Sequence, residues 1–215
     1  MIQNFEHFFE ELVSKKIWLI DFDGTLANTE PLHKKAYEIV LKEDYCINES
    51  LDFERYRGSS EIKIYRRMEL DFDIKINDEC FMAKRLRAFQ DLAASKSLNT
   101  FPIMRSLIED AANIVDVKIV SSQKRHIIEK FLHIWKIDKY FTSVHSGDEH
   151  RFGKFGFLCD FSQIVSPPEN VVFFDDHLEY LSKANKLGIT TVAVESSTAF
   201  NLDQFDYILT WELLS

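Results

Sequence analysis

The sequence is poor in cysteine, lacks a long apolar run and is short of basic charge, and each shortage excludes something. Cys46, Cys80 and Cys159 are the only cysteines, and no CxxC pair occurs. An odd, scattered set points to reduced thiols and a cytoplasmic protein. No apolar stretch approaches the ~20 residues needed to span a bilayer. The N-terminus lacks a basic region followed by an apolar run and a small-residue cleavage site, so no signal peptide is expected. Lys and Arg number 26 against 35 Asp and Glu, a formal net charge of -9. Such a chain binds nucleic acid or anionic membrane poorly, and neither is expected as a partner. A small anionic substrate remains compatible, because a few local cations and a metal outweigh a distant net charge. His126, His133, His145, His150 and His177 show no metal-ligand spacing. There is no internal repeat and no low-complexity linker, and nothing sets an oligomeric state.

What is present describes a globular chain. Its 215 residues suffice for one core domain with a modest insertion. Hydrophobic residues make up 46% and charged residues 28%, a balance that excludes disorder. The 19 Phe predict a core filled with aromatic rings.

Phe5, Phe8, Phe9, Leu12 and Val13 recur at helical spacing and predict an amphipathic helix over 3–14. It docks on the core or meets a partner, docking being the expectation. Ile17-Trp18-Leu19-Ile20 reads as a buried strand that ends abruptly in Asp21-Phe22-Asp23-Gly24-Thr25. In open α/β sheets ligands bind at such carboxyl ends. Over 30–98 the apolar positions follow helical spacing, as in Leu32, Ala36, Tyr37, Val40 and Leu41, which predicts an insertion of three or four helices. Beyond Pro102, helices at about 103–113 and 123–134 alternate with strands at 117–120, 141–145, 171–174 and 190–194. A helix ending at Gly188 and a sixth strand at 207–209 complete the pattern. Alternation of this kind implies a parallel sheet with helices on both faces.

Asp21 and Asp23, Ser121, Lys154, and Asp175 with Asp176 each fall at the end of an expected strand. In a parallel sheet those ends share one edge, so the groups can converge. Four carboxylates close together repel unless a cation neutralises them. Lys154 supplies one charge, and a hard divalent ion such as Mg²⁺, which prefers oxygen ligands, would supply more. Nucleophile, hydroxyl, lysine and metal together suit phosphoryl transfer, which depends on positioning and charge neutralisation.

Asp21-Phe22-Asp23-Gly24-Thr25-Leu26 resembles the DxDGT signature of the haloacid dehalogenase superfamily. Ile119-Val120-Ser121 resembles its second motif, 146–154 the stretch leading to its motif lysine, and Val172-Phe173-Phe174-Asp175-Asp176 its acidic fourth motif. Asn28-Thr29-Glu30-Pro31-Leu32-His33 is similar to the start of the cap in the β-phosphoglucomutase-like and phosphoglycolate phosphatase-like branch. The resemblance spans 16–214. It implies a Rossmann-like α/β core over 1–27 and 99–215, with an α-helical cap domain over 28–98. It implies Asp21 as a nucleophile forming an aspartyl phosphate, and Asp23 as general acid and then base. Ser121 and Lys154 would hold the phosphoryl group, with Ser122 as a further substrate contact. Asp21, the Asp23 carbonyl and Asp176 would bind Mg²⁺, with Asp175 in support. Dehalogenases of the family lack the second aspartate because a halide needs no proton, so Asp23 favours phosphate chemistry. Where the family usually places proline after the lysine, this chain has Phe155, and a different loop backbone is expected.

Each residue also has an ordinary reading. Ser121 and Asp176 could cap helices, and Lys154 could be solvated. In the cap, His33, Arg57 and Lys84 resemble substrate-contacting positions of the mutase branch, although a surface histidine and a solvated lysine would look the same. The sequence thus predicts a Mg²⁺-dependent phosphatase of a small phosphorylated metabolite. The alternatives are a phosphosugar mutase and a non-catalytic binding protein on the same fold.

Overall fold

Ile17–Ile20 forms the first strand, β1, and all four side chains are buried. A strand this apolar is stable only with a partner on each side, as in parallel sheets covered on both faces. The computed structural model describes residues 5–56, 61–95, 100–146, 149, 153–164, 167–195 and 205–210. In it β1 pairs with β2 (Asp116–Ser121) on one side and β4 (Val171–Asp175) on the other. Beyond β2 lies β3 (Ser143–Ser146). Beyond β4 lie β5 (Thr190–Glu195) and β6 (Tyr207–Thr210). The strand order is β3-β2-β1-β4-β5-β6, and every pairing is parallel. This is the doubly wound, Rossmann-like order, whose ligand crevice opens where the chain direction across the sheet reverses. Here that point is the carboxyl end of β1, between β2 and β4.

Alternate side chains of the central strands face opposite layers. Ile17, Leu19, Val171 and Phe173 pack in one cluster with Phe157 and Leu158 of α7 (Gly153–Ile164) and Leu181 and Ala184 of α8 (Leu178–Lys186). Trp18 points the other way. Its indole N–H donates to the Leu12 carbonyl at 3.0 Å, and its ring meets Phe9 edge-on. The helix carrying both, α1 (Phe5–Val13), thus docks on the sheet, with Leu12 fully buried and Phe8 against Tyr207. The remaining core helices are α5 (Pro102–Ala111) and α6 (Arg125–Trp135), and Phe131 and Trp135 of α6 stack beside Phe22. Many of the phenylalanines do fill the core, among them Phe22, Phe131, Phe173 and Phe174.

The chain divides into two compact units, Met1–Asn28 with Asn99–Ser215, and Thr29–Leu98. The second contains α2 (Glu30–Tyr45), α3 (Glu61–Phe72) and α4 (Asp78–Ser95), with a 3₁₀ turn at Phe53–Tyr56. Its core is Tyr37, Val40, Leu41, Tyr65, Met68 and Phe81. Where the first unit is interrupted, Ala27 bridges Thr100 and the Phe101 N–H donates to the Leu26 carbonyl, so the two chain crossings lie side by side.

Two details differ from the sequence reading, while Gly188 caps its helix as expected. The third strand begins later than Phe141, because a 3₁₀ turn at Asp138–Tyr140 takes up the Phe141 N–H. The helix before Gly188 ends at Lys186. Gly188 follows at φ +80, a left-handed position that closes the last turn, its N–H donating to the Asn185 carbonyl and the Ile189 N–H to the Ala184 carbonyl. Helix α7 was not expected at all, because Gly153 and Gly156 open it and glycine is a poor helix former. Among the described residues no helix is long and apolar enough to cross a membrane.

Candidate active site

The Asp21 N–H still belongs to the sheet, donating to the Phe174 carbonyl at 3.0 Å. The chain then reverses tightly. Leu26 and Ala27 both bond back to the Phe22 carbonyl, and Gly24 bonds to Ala27. This turn keeps Asp21 and Asp23 at the crevice instead of letting the strand run on. Gly24 sits at φ +76, and a side chain there would collide with the Asp176 carboxylate. Gly24→Ala should therefore lower unfolding stability by about 2 kcal/mol and displace Asp176. Denaturant titration checks this, and an unchanged midpoint with full activity would show that the turn tolerates a Cβ.

Five of the expected groups meet within the core unit. Asp21, Asp175 and Asp176 each offer a carboxylate oxygen, all within 4.8 Å of one another. Lys154 places its ammonium 2.6 Å from Asp175 Oδ2 and 3.0 Å from Asp21 Oδ1. It arrives from the first turn of α7 and not from a strand end, which corrects the sequence reading. A helix docked on the sheet brings a long side chain back over the strand ends as well as a loop would. Its ammonium also lies 4.4 Å from the centre of the Tyr180 ring, a cation–π contact that offsets lost hydration. Asp23 joins the group through Gln123, whose Nε2 donates to Asp23 Oδ2 at 3.1 Å.

Asp175 is already engaged, with Oδ2 on Lys154 and Oδ1 accepting the His177 N–H at 2.7 Å. Asp21 is buried, and its Oδ1 has no aligned hydrogen-bond donor among the described residues. Ser121, at the end of β2, is buried and accepts the Gln123 N–H at 3.2 Å, which leaves its own proton to donate. Ser122 beside it is exposed on the strand-to-helix turn.

The electrostatics follow from this crowding. Burial, with Asp175 and Asp23 adding to it against Lys154, pushes Asp21 up to about 7. Burial together with Asp175 and Asp21 raises Asp176 well above the usual carboxylate range. For Lys154, burial alone would pull the ammonium down, but Asp175 and Asp21 outweigh it and hold it charged. One lysine among Asp21, Asp23, Asp175 and Asp176 leaves an excess of negative charge. A divalent cation on oxygen ligands would remove it, and the under-donated Asp21 and the partly exposed Asp176 fit that role.

The other candidates lie elsewhere. In the helical unit, His33 stacks on Phe89 at 4.3 Å, with its Nδ1 3.4 Å from Arg85. Lys84 is exposed and tied to Asp44 at 2.5 Å. The buried cation of that helix is its neighbour Arg85, paired with Glu61. Arg85 was not among the sequence candidates, since two adjacent helical residues differ in facing only once the partner helices are known. Arg57 lies outside the described residues. Gln123 and Tyr180 were also missed. Gln123 could have been found two places beyond Ser121 in the strand-to-helix turn, but Tyr180 carries no local signal.

Solved structures share this architecture. A Thermotoga maritima protein assigned as a β-phosphoglucomutase is 23% identical, with 92% of this chain and 95% of that one aligned and a TM-score of 0.71. A Haemophilus somnus protein assigned as a phosphoglycolate phosphatase is 16% identical over 90% and 92%, with a TM-score of 0.73. YfnB from Bacillus subtilis, bound to magnesium, is 15% identical over 91% and 94%, with a TM-score of 0.69. At these identities the likeness establishes the fold. Sequence decides the family: residues 18–194 match the profile of the haloacid dehalogenase-like hydrolases, and the chain belongs to that family.

Proposed function

We infer that this protein is a Mg²⁺-dependent phosphatase that hydrolyses a small phosphorylated metabolite through an aspartyl phosphate on Asp21. The observation that carries the reading is the pairing of two different aspartates. Asp21 is buried against Lys154 in the acidic trio. Asp23, on the same turn, is held by the Gln123 amide. In this reading one carboxylate attacks, and the other handles a proton.

In this scheme Asp21 attacks phosphorus, and an Asp21 O–P bond forms as the bond to the leaving oxygen breaks. Asp23 gives its proton to that oxygen, which an alcohol needs in order to depart. Water then attacks phosphorus and passes a proton to Asp23, the Asp21 O–P bond breaks, and both aspartates return to their starting states. Lys154 and the Ser121 hydroxyl hold the phosphoryl oxygens. Asp21, the Asp23 carbonyl and Asp176 would hold Mg²⁺, with Asp175 in support, and the ion when bound neutralises charge on the phosphoryl group. Magnesium bound to YfnB, on the same fold, is consistent with that choice.

The core groups meet features common to all phosphate monoesters, so discrimination among substrates needs other contacts. The helical unit, inserted in the chain between Asp23 and Ser121, acts as the cap that supplies them, with His33, Arg57 and Lys84 as its candidates. Exposed Cys46 and Cys80 suit a reducing compartment, the cytoplasm. The acidic charge suits a small-molecule substrate over nucleic acid or membrane.

A panel of phosphorylated metabolites, assayed for phosphate release with Mg²⁺ and with chelator, tests this. Turnover of at least one member that is lost with chelator is the expected result. Isomer formed from a hexose 1-phosphate without net phosphate release would make the protein a mutase. No turnover of any member would favour a binding role.

A further inference from the structure

Gln123 is a buried side chain that the sequence motifs do not account for, and all of its polar atoms have defined partners. Its Oε1 accepts the backbone N–H of Lys124 at 3.1 Å. Its Nε2 faces Asp23, 3.1 Å from Oδ2 and 3.5 Å from Oδ1. Its own N–H donates to the Ser121 hydroxyl at 3.2 Å. The orientation of a side-chain amide is normally assigned from its network. Here a backbone N–H, which can only donate, settles it: the carbonyl end must meet Lys124, so the amino end must meet Asp23.

An amino group can only donate. Nε2 faces both oxygens of Asp23 from one side and so fixes the direction of the carboxyl group. We propose that Gln123 is the positioning residue for proton transfer by Asp23, fixing the direction in which its carboxyl group meets the leaving oxygen. Through its backbone the same residue orients the Ser121 hydroxyl, so one turn after β2 sets both the phosphoryl contact and the proton donor. This inference rests on the phosphatase reading above and adds a residue to it. It concerns the direction in which Asp23 points and not its affinity for a proton.

The requirement falls unevenly on substrates, because a basic leaving group needs the proton and an acidic one hardly does. Phenyl phosphates with different ring substituents keep the same small shape while the leaving phenol varies. The test measures kcat/KM, which covers only steps through leaving-group departure, for phenyl and p-nitrophenyl phosphate in wild type, Gln123→Ala, Gln123→Glu and the Asp23→Ala background. Glu at 123 keeps the acceptor for Lys124 but loses the donor toward Asp23, so it separates orientation from packing.

Both variants should lose about tenfold on phenyl phosphate, a fraction of the 10²–10⁴ that general acid catalysis supplies, and several-fold less on p-nitrophenyl phosphate. Adding either substitution to Asp23→Ala should cost almost nothing more, since the group it orients is gone. Equal losses on both esters, or a full further loss in the Asp23→Ala background, would overturn the role and leave Gln123 as a packing residue. A wild-type protein that releases phosphate from neither ester with Mg²⁺ would overturn the phosphatase reading, and this inference with it.

Discussion

Replacing Asp21 with asparagine should abolish phosphate release while the protein still folds. A carboxylate oxygen attacks phosphorus, whereas an amide is a far weaker nucleophile and a poorer metal ligand. Loss of a nucleophile costs about 10⁴-fold or more in kcat. The fold should survive because Asp21 sits in an excess of acids, and its removal relieves repulsion with Asp175 and Asp23.

A pH dependence distinguishes this from ordinary inactivation. In the metal-free protein Asp21 is raised from 3.8 to about 7. Between those values the folded state keeps a proton that the unfolded chain has released, so stability falls as pH rises through that window. In chelator, wild type should lose stability from about pH 4 to pH 7, and Asp21→Asn should lose less. Asp176, which is raised as well, keeps some of the decline. Denaturant unfolding at several pH values reads this directly. Turnover by Asp21→Asn near the wild-type rate would exclude Asp21 as the nucleophile.

Replacing Lys154 with methionine should be the most destabilising of the substitutions considered. The ammonium is buried against two carboxylates at 2.6 and 3.0 Å. Methionine keeps much of the volume and contact area but strands Asp175 and Asp21 without their cation. Removing one partner of a buried pair costs about 3–5 kcal/mol. The raised lysine contributes its stability in full below about pH 10.5, its ordinary value, so the whole neutral range is affected. As pH falls below about 7, Asp21 takes up its proton and the deficit should shrink. Activity should fall by at least about 10³-fold, because the phosphoryl oxygens lose a charge partner as well. A Lys154→Met protein that unfolds and turns over like wild type would remove the lysine from the site.

The strands were legible because their signal is local. Four apolar residues at Ile17–Ile20 followed by two acids and a glycine mark a buried strand ending at a crevice, whatever surrounds it. Val171–Asp175, with Asp176 after it, repeats the apolar run and the paired acids without the glycine. Helix α7 was not legible, because its glycines contradict the helix that tertiary docking of Phe157 and Leu158 stabilises. Lys154 was named as a candidate for its place among the motifs, but its route into the site depended on that unseen helix.

The sequence alone determined which chemical groups this protein owns and in what order the sheet presents them: Asp21 and Asp23 after the first strand, Ser121 after the second, Asp175 and Asp176 after the fourth. Tertiary structure decided how those groups are shared out. Asp175 is held by Lys154 and by the His177 N–H, while Asp21 Oδ1, 3.0 Å from the Lys154 ammonium, has no aligned donor among the described residues. Asp23 is oriented by Gln123, far along the chain. In the helical unit, Lys84 faces Asp44 while Arg85, one residue on, is buried beside His33 and Glu61. Backbone periodicity is written over a few neighbouring residues, whereas a charged group's partner is chosen by whichever distant segment folding places within about 3 Å of it, a distance that no spacing along the chain encodes.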